Sequence, residues 1–370
     1  MIKKITATAL LLSVLMSISA CSSSMNKNAN TDNSIHKKAE ITVYLPEGQN
    51  IDKKYRDDKD IAINYLAKKD GKFSEKEVNA IADNIDKSVK VLILSSDREG
   101  SMPVFSKVKS KLPGIITIAG DSEEFDTDSI NKIMKDKSLD VGFMSEKKYN
   151  AYNSVTIAKQ MSAKTFVYLY TNKDKSNSDL YMDIQDAKLY CDKKGIKFVE
   201  VEVEADDSSK ISEEVKKIAS VEGSEGLALY PSDQTLSKEI LKLAIENKYI
   251  IPNLNSDNDG ELIADVMNLK KEYEKLTREE FDELVSKKLS DKGISDKIAA
   301  ISEGRKSVPA EISIEIAKYM YENNYMIEEC YRDVSVVDRG NQKLNLQIKP
   351  EYIDSSFGYV RKLKLNPRIY

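Results

Sequence analysis

"AKTFVYLYT" (163–171), "SDLYMDIQDAKLYCDKKG" (178–195) and "IKFVEVEVEA" (196–205) follow one another and decide the fold. The first is an apolar, β-branched and aromatic run, the kind of strand that is covered on both faces of a parallel sheet. The second reads as a helix, and Gly195 stands at its C-terminal end, where a left-handed cap is favoured. The third is again a strand. Strand, helix, strand makes a βαβ unit, with parallel strands and a right-handed crossover.

The same period runs in both directions. Downstream come the helix "SKISEEVKKIASVEG", the strand "EGLALYPSD" (225–233), the helix "SKEILKLAIENKY" and the strand "YIIPNLNSD" (249–257). Upstream lie the strands "EITVYLP" (40–46), "DIAINYLA" (60–67), "VKVLILSSD" (89–97), "GIITIAGDS" (114–122) and "LDVGFMS" (139–145). Between them, 73–88 carries Val78, Ile81, Ala82 and Ile85 at helical spacing, with Ser74 and Glu77 as a capping box. A helix "VFSKVKSKL" stops at Pro113, and "YNSVTIAKQMSA" restarts the pattern. After the first strand no helix is evident. Two successive sets of such units predict an α/β fold of two doubly wound parallel-sheet lobes.

Residues 260–306 break the rhythm. They are charged and helical with sparse apolar positions, which suits a solvated insertion packed on one lobe; an arm for a partner protein is the alternative. "PAEISIEIAKYMYENN" (309–324) is amphipathic again, with Pro309 placed for a first helical turn. The tail beyond it reads as short strands and turns.

The N-terminus has another grammar. Lys3 and Lys4 precede an apolar run to Ile18, too short to span a bilayer, and small residues lead to Cys21. This stretch resembles the lipobox of bacterial lipoproteins, which implies a signal peptide over 1–20 and a diacylglyceryl anchor on Cys21. An ordinary signal peptide containing a cysteine is the rival reading. Residues 21–40 are polar, cannot bury enough surface to fold, and form a flexible tether holding the only histidine, His36.

Composition narrows the chemistry. There are 57 basic and 61 acidic residues, and the balance becomes more acidic once Lys3 and Lys4 are removed, so nucleic acid is not an expected partner. With His36 in the tether, histidine-based catalysis and histidine metal sites are excluded. Cys191 and Cys330 lack CxxC spacing, which leaves zinc and iron–sulfur centres without ligands; one disulfide or two free thiols remain open. No cofactor or metal is expected, and an enzyme with paired carboxylates is the least favoured class.

A lipobox, a tether and two doubly wound lobes resemble type I periplasmic-binding proteins. Within that fold, "AKTFVYLY" (163–170), "KKGIKFVEVEVEAD" (193–206) and "GIITIAGDSEE" (114–124) are similar to a family of uncharacterised bacterial lipoproteins. The resemblance implies lobe 1 from 41–162 plus 305–325 and lobe 2 from 163–304 plus 326–370, with crossings near 162, 305 and 326. It also implies a solute-binding protein on the extracytoplasmic face of the cell membrane, working with an importer permease of ABC type. Two features depart from that pattern: the opening "ITVYLPEGQNIDKKYRDDKD" and the loop "TNKDKSNSD", which lacks Arg, His or an aromatic residue. A surface or sensory lipoprotein that contacts proteins through the same fold, with a degenerate cleft, is the alternative function.

Ligands of open α/β sheets sit beyond the carboxyl ends of the strands. That rule selects Ser95, Ser96 and Asp97; Asp121; Met144 and Ser145; Tyr170, Thr171 and Asn172; Tyr230, Ser232 and Asp233; and Asn253, Asn255 and Asp257. Their hydrogen-bonding groups suit a small polar solute of the sugar, nucleoside or amine class. Asp121, Asp233 and Asp257 equally suit helix caps.

Overall fold

The computed structural model describes residues 39–122, 137–145, 151–171, 177–204, 208–323, 340, 342, 344, 347–352 and 360–370. Cys21, the tether with His36, Asn172 and Cys330 lie outside the described residues.

Strands β1 (Ile41–Pro46), β2 (Ile61–Leu66), β3 (Val91–Ser96), β4 (Ile116–Ser122) and β5 (Val141–Ser145) form a parallel sheet in the order 2-1-3-4-5. All six residues of β3 are buried, as its unbroken apolar run requires. Between β1 and β2 there is one helical turn, α1 (Lys53–Arg56), capped by Asp52. Helix α2 (Glu75–Asn84) starts at the expected box: Ser74 Oγ accepts from Glu77 N–H, and the Glu77 carboxylate accepts from Ser74 N–H at 2.9 Å. With α3 (Met102–Lys111) it covers one face of the sheet through Val78, Ile81, Val104, Phe105 and Val108.

The second half repeats the plan through α4 (Ala151–Gln160), β6 (Thr165–Thr171), α5 (Ser178–Lys194), β7 (Lys197–Val203), α6 (Ser208–Glu222), β8 (Leu227–Pro231) and α7 (Gln234–Asn247). Its sheet runs β7-β6-β8, extended by parallel bridges from Ala228 to Ile250 and from Ile251 to Ile298. The strand expected over 249–257 shrinks to these bridges, because Pro252 has no N–H to continue a ladder. Gly195 closes α5 in the left-handed region at φ 64°. Strand β7 is an edge, and exposed Glu200 and Glu202 discourage further pairing there. Cys191 is a free, buried thiol on α5.

The charged segment folds as α8 (Asp259–Val266), α9 (Lys270–Lys275) and α10 (Arg278–Asp291). Phe281, Val285 and Leu289 line one stripe of α10 and pack into the second core with Ile263, Ala264 and Tyr273. Four-residue spacing on a charged helix suffices to dock it. Helix α11 (Val308–Glu322) crosses β1, β3, β4 and β5, and its first half is buried on every side. Among the described residues, no helix is long and apolar enough to cross a membrane.

Two expectations about the lobes need correction. Of the stretch expected to join the second lobe over 326–370, the described residues up to Asn366 belong to the first. Strand β11 (Val360–Asn366) pairs parallel with β5, and β10 (Gln347–Tyr352) pairs antiparallel with β11, extending the first sheet. Leu363 and Leu365 are buried in the first core, which is what holds the tail there. Only β12 (Arg368–Ile369) reaches across, pairing antiparallel with β9 (Ala299–Ala300). The last crossing is therefore between Asn366 and Arg368, not near 326.

The first crossing is also earlier than 162. Ala151, Val155 and Ala158 of α4 pack with Phe166 and Tyr168 in the second lobe. The chain returns between Ala300, in the second core, and Ile301, in the first. The whole is an α/β fold of two doubly wound parallel-sheet lobes.

Candidate functional site

In a 2-1-3-4-5 sheet the strand order reverses between the first and third strands, and the connections leaving their carboxyl ends to opposite sides open a crevice. Here those ends carry Pro46 and Ser96 in the first lobe, and Thr171 and Pro231 in the second. The best connected polar groups lie beside these points, on β4, β5, the segment after residue 251 and the crossover at 301–307.

Asp121, the penultimate residue of β4, has φ 94°, a left-handed conformation costly for a non-glycine residue. Its carboxylate is fixed by Ser145: the backbone N–H donates to Oδ1 at 3.1 Å, and the hydroxyl lies 2.9 Å from Oδ2. The same hydroxyl lies 2.9 Å from the carbonyl of Arg305. The Arg305 guanidinium turns to the other lobe, where Nη2 donates to Asn253 Oδ1 at 2.9 Å. Asn253 Oδ1 also accepts from Asn255 N–H at 2.9 Å, and Asn253 Nδ2 donates to Ser154 Oγ at 3.3 Å. Asn255, at φ 54°, donates from Nδ2 to the carbonyls of Pro231 and Ser232. A continuous polar chain thus links the ends of β4 and β5 to the end of β8.

Most of these bonds are internal, but three buried atoms of the chain have no partner among the described residues: Ser232 Oγ, Asn255 Oδ1 and Arg305 Nε. A buried polar atom left unpaired costs roughly 1–3 kcal/mol, so the three mark a place built to meet something else.

The remaining expected residues serve other ends. Ser95 Oγ donates to the carbonyl of Gly120 across β3 and β4, and Ser96 Oγ accepts from Arg98 N–H at 2.9 Å. Asp97 is exposed. Asp233 caps α7, accepting from Thr235 N–H at 2.7 Å. Asp257 sits at the surface 4.0 Å from Lys306 Nζ. Met144 packs against the first core. Tyr230 is fully buried between Phe166 and Tyr168, and Thr171 is buried at the end of β6. The Tyr170 phenol is pushed up to about 12 by burial and by its hydrogen bond to Glu200. Asp121, Ser145, Ser232, Asn253 and Asn255 are brought together. Among the described residues, no group of three or more His, Cys, Asp or Glu is placed to hold a metal ion.

The model of a family described as a protein of unknown function, DUF3798, matches residues 45–299. That is more than half of the chain. The chain belongs to the DUF3798 family. No curated protein matches its sequence. Among solved structures, a protein described as a proposed transcriptional regulator from Clostridium difficile 630 is similar at 18% identity and a TM-score of 0.70, covering 91% of this chain and all of that one. That likeness shows the fold. A sugar ABC transporter protein from Actinomyces odontolyticus is similar at 10% identity and TM-score 0.47, over 90% of this chain and 95% of that one. A periplasmic solute-binding protein from Actinobacillus succinogenes, with bound D-allose, gives 14% identity and TM-score 0.41 over 78% and 93%.

In this DUF3798 protein the residue that joins the two strand edges, Arg305, escaped the sequence reading. It lies in "SEGRKS" (302–307), a crossover without periodicity, beyond the matched residues. Ser154 was missed for another reason: it faces inward from α4, where a buried serine in an apolar stripe reads as filler.

Proposed function

We propose that this chain is a lipid-anchored extracytoplasmic solute-binding protein that holds a small polar ligand between its lobes for an importer. Its role is binding, with no turnover. The observation that carries this reading is the trio of unpartnered buried atoms, Ser232 Oγ, Asn255 Oδ1 and Arg305 Nε, at the strand ends where doubly wound sheets receive ligands. A hydroxyl of the solute supplies the missing partners, since it accepts from Arg305 Nε–H and donates to Asn255 Oδ1, whereas an amine in its ammonium form can only donate. Arg305 bonds to both lobes, so a ligand seated on it gains contacts only when they approach, which favours the closed form.

A thermal-shift screen of the full chain in detergent against sugars, nucleosides, amino acids and polyamines tests this. At least one class should raise the melting temperature. Ser232→Ala and Asn255→Ala should then weaken that ligand about ten- to a hundredfold, the range for a lost buried hydrogen bond of ~1.5–3 kcal/mol. No hit in any class, or full binding by both variants, refutes the reading.

The anchor is tested separately. Two or three acyl chains at ~0.8 kcal/mol per buried CH₂ hold a protein durably on a bilayer. Cys21→Ser should abolish incorporation of a metabolic lipid probe and leave the chain uncut or released. Equal labelling of the variant overturns the lipid-anchor assignment.

A further inference from the structure

A cavity of about 120 Å³ lies where both lobes meet the crossovers. None of the residues in the strand-end chain lines it. The first lobe contributes Asp52 and, from α11, Glu311; the second contributes Arg278 at the start of α10; the crossover contributes Glu303. The walls are locked to one another by backbone bonds, with Asp52 N–H donating to Glu311 Oε1 at 2.8 Å and Arg278 N–H donating to Asp52 Oδ1 at 3.2 Å.

The charges of these walls face the cavity without meeting. Arg278 is only 8% exposed, stacks over Tyr273 at 4.6 Å, and leaves Nε without a partner. Among the described residues no carboxylate lies within ion-pairing distance of its guanidinium. Glu303, 3% exposed, has as its side-chain partner a Ser302 hydroxyl at 3.4 Å. Burial raises both Glu303 and Glu311, each to about 7, and the like charge of Glu311 adds to the rise of Glu303. A buried cation edge and a pair of buried carboxyls across one cavity lack a mediator that carries both charges.

We propose that this cavity is a binding site for a small zwitterion, an α-amino acid of glycine or alanine size, with its carboxylate toward Arg278 and its ammonium toward Glu303 and Glu311. The size follows from the volume: a water needs about 10–15 Å³ of such space, so the cavity takes on the order of eight heavy atoms. A bare cation is disfavoured by the guanidinium, and an anion by the carboxyls. Among the other lining residues, Lys54 and Arg368 balance Glu279 and Asp282 in charge. Because the walls come from both lobes, an occupant here also clamps them.

Calorimetric titration of the full chain in detergent with glycine, L-alanine, methylammonium and acetate near neutral pH decides the matter. Glycine or alanine should bind, and the two single-charge probes should bind at least tenfold more weakly. An ammonium ion held there keeps the carboxyls ionised, so binding should release protons, visible as a heat that varies with the ionisation enthalpy of the buffer. Glu303→Gln and Arg278→Gln should each weaken the amino acid at least tenfold, while Asp97→Asn, at an exposed position away from the cavity, leaves it unchanged. The wild-type probe series stands even where a variant does not fold. A cavity that holds only water gives no amino-acid heat, and that result, or acetate or methylammonium binding as well as glycine, overturns the proposal whatever the solute screen returns.

Discussion

Gly260→Ala is expected to lower the melting temperature by roughly 2–5 °C, because its added methyl group would meet a tighter neighbour than one added at any other glycine of the described chain. The usual expectation is the opposite, since alanine in a helix is favoured over glycine by about 1 kcal/mol. Here a Cβ would lie 2.2 Å from the carbonyl oxygen of Ser302, 2.8 Å from the Tyr273 ring and 3.1 Å from Arg278 Nη1. Side chains can yield, but the crossover backbone cannot retreat: Ile301 N–H beside it donates to Asp259 Oδ2 at 2.8 Å, and Asp259 is fully buried. Overpacking of a fixed site costs about 1–3 kcal/mol, more when backbone must move. Thermal unfolding followed by circular dichroism measures it, and an unchanged or raised midpoint would show that helix α8 and the crossover are not in contact. The same close approach sets the junction between the lobes, so the variant should also loosen the cavity around Arg278.

How much of this was readable from the residues depends on how local the cause is. The buried runs of β3 and β6, the Ser74–Glu77 box and the Gly195 cap each depend on a few adjacent residues, and each appears where its pattern lies. Strand partners are not local. "YVRKLKLN" (359–366) has the alternation of a strand, but nothing in it says whether β5 or a second-lobe edge will receive it; the burial of Leu363 and Leu365 decides. Helix α4 has the same ambiguity, since an amphipathic stripe fits either lobe. The strand-end rule found five members of the polar chain because strand ends are local features. It could not find Arg305, Arg278, Glu303 or Glu311, whose importance comes from meeting one another across long sequence separations. A charged residue that looks solvated in a charged segment becomes buried only when another segment covers it.

Acidity should stabilise this protein across a range where most proteins are indifferent. Glu303 and Glu311 are fully buried, and each rises from 4.5 to about 7, burial being the main cause; the charge of Glu311 adds for Glu303, and that of Asp52 adds for Glu311 against the opposing Arg278. Asp259 rises to about 6 through burial, with Arg305 opposing. Folded-state values above the unfolded ones mean that the native protein keeps protons the unfolded chain has released. The contribution is therefore complete below about pH 4.5 and is lost as pH rises through about 7. A tenfold difference in proton affinity between the folded and the unfolded chain is worth about 1.4 kcal/mol. The three carboxyls together thus contribute on the order of several kcal/mol, less than additively because Glu303 feels the charge of Glu311. Glu77 works in the other direction: its hydrogen bonds from Arg98 and Ser74 hold it well below the usual carboxylate range, and its contribution fades only in strong acid. The melting temperature, measured without added amino acid, should consequently be several degrees higher near pH 5.5 than near pH 8.5. Glu311→Gln keeps an oxygen for the Asp52 N–H but carries no charge, so it should raise the midpoint at the alkaline end and flatten the profile. A wild-type midpoint that is level or rising over this interval would mean that the buried carboxyls are paired in solution, and the cavity between the lobes would then have no unmet charge to offer a ligand.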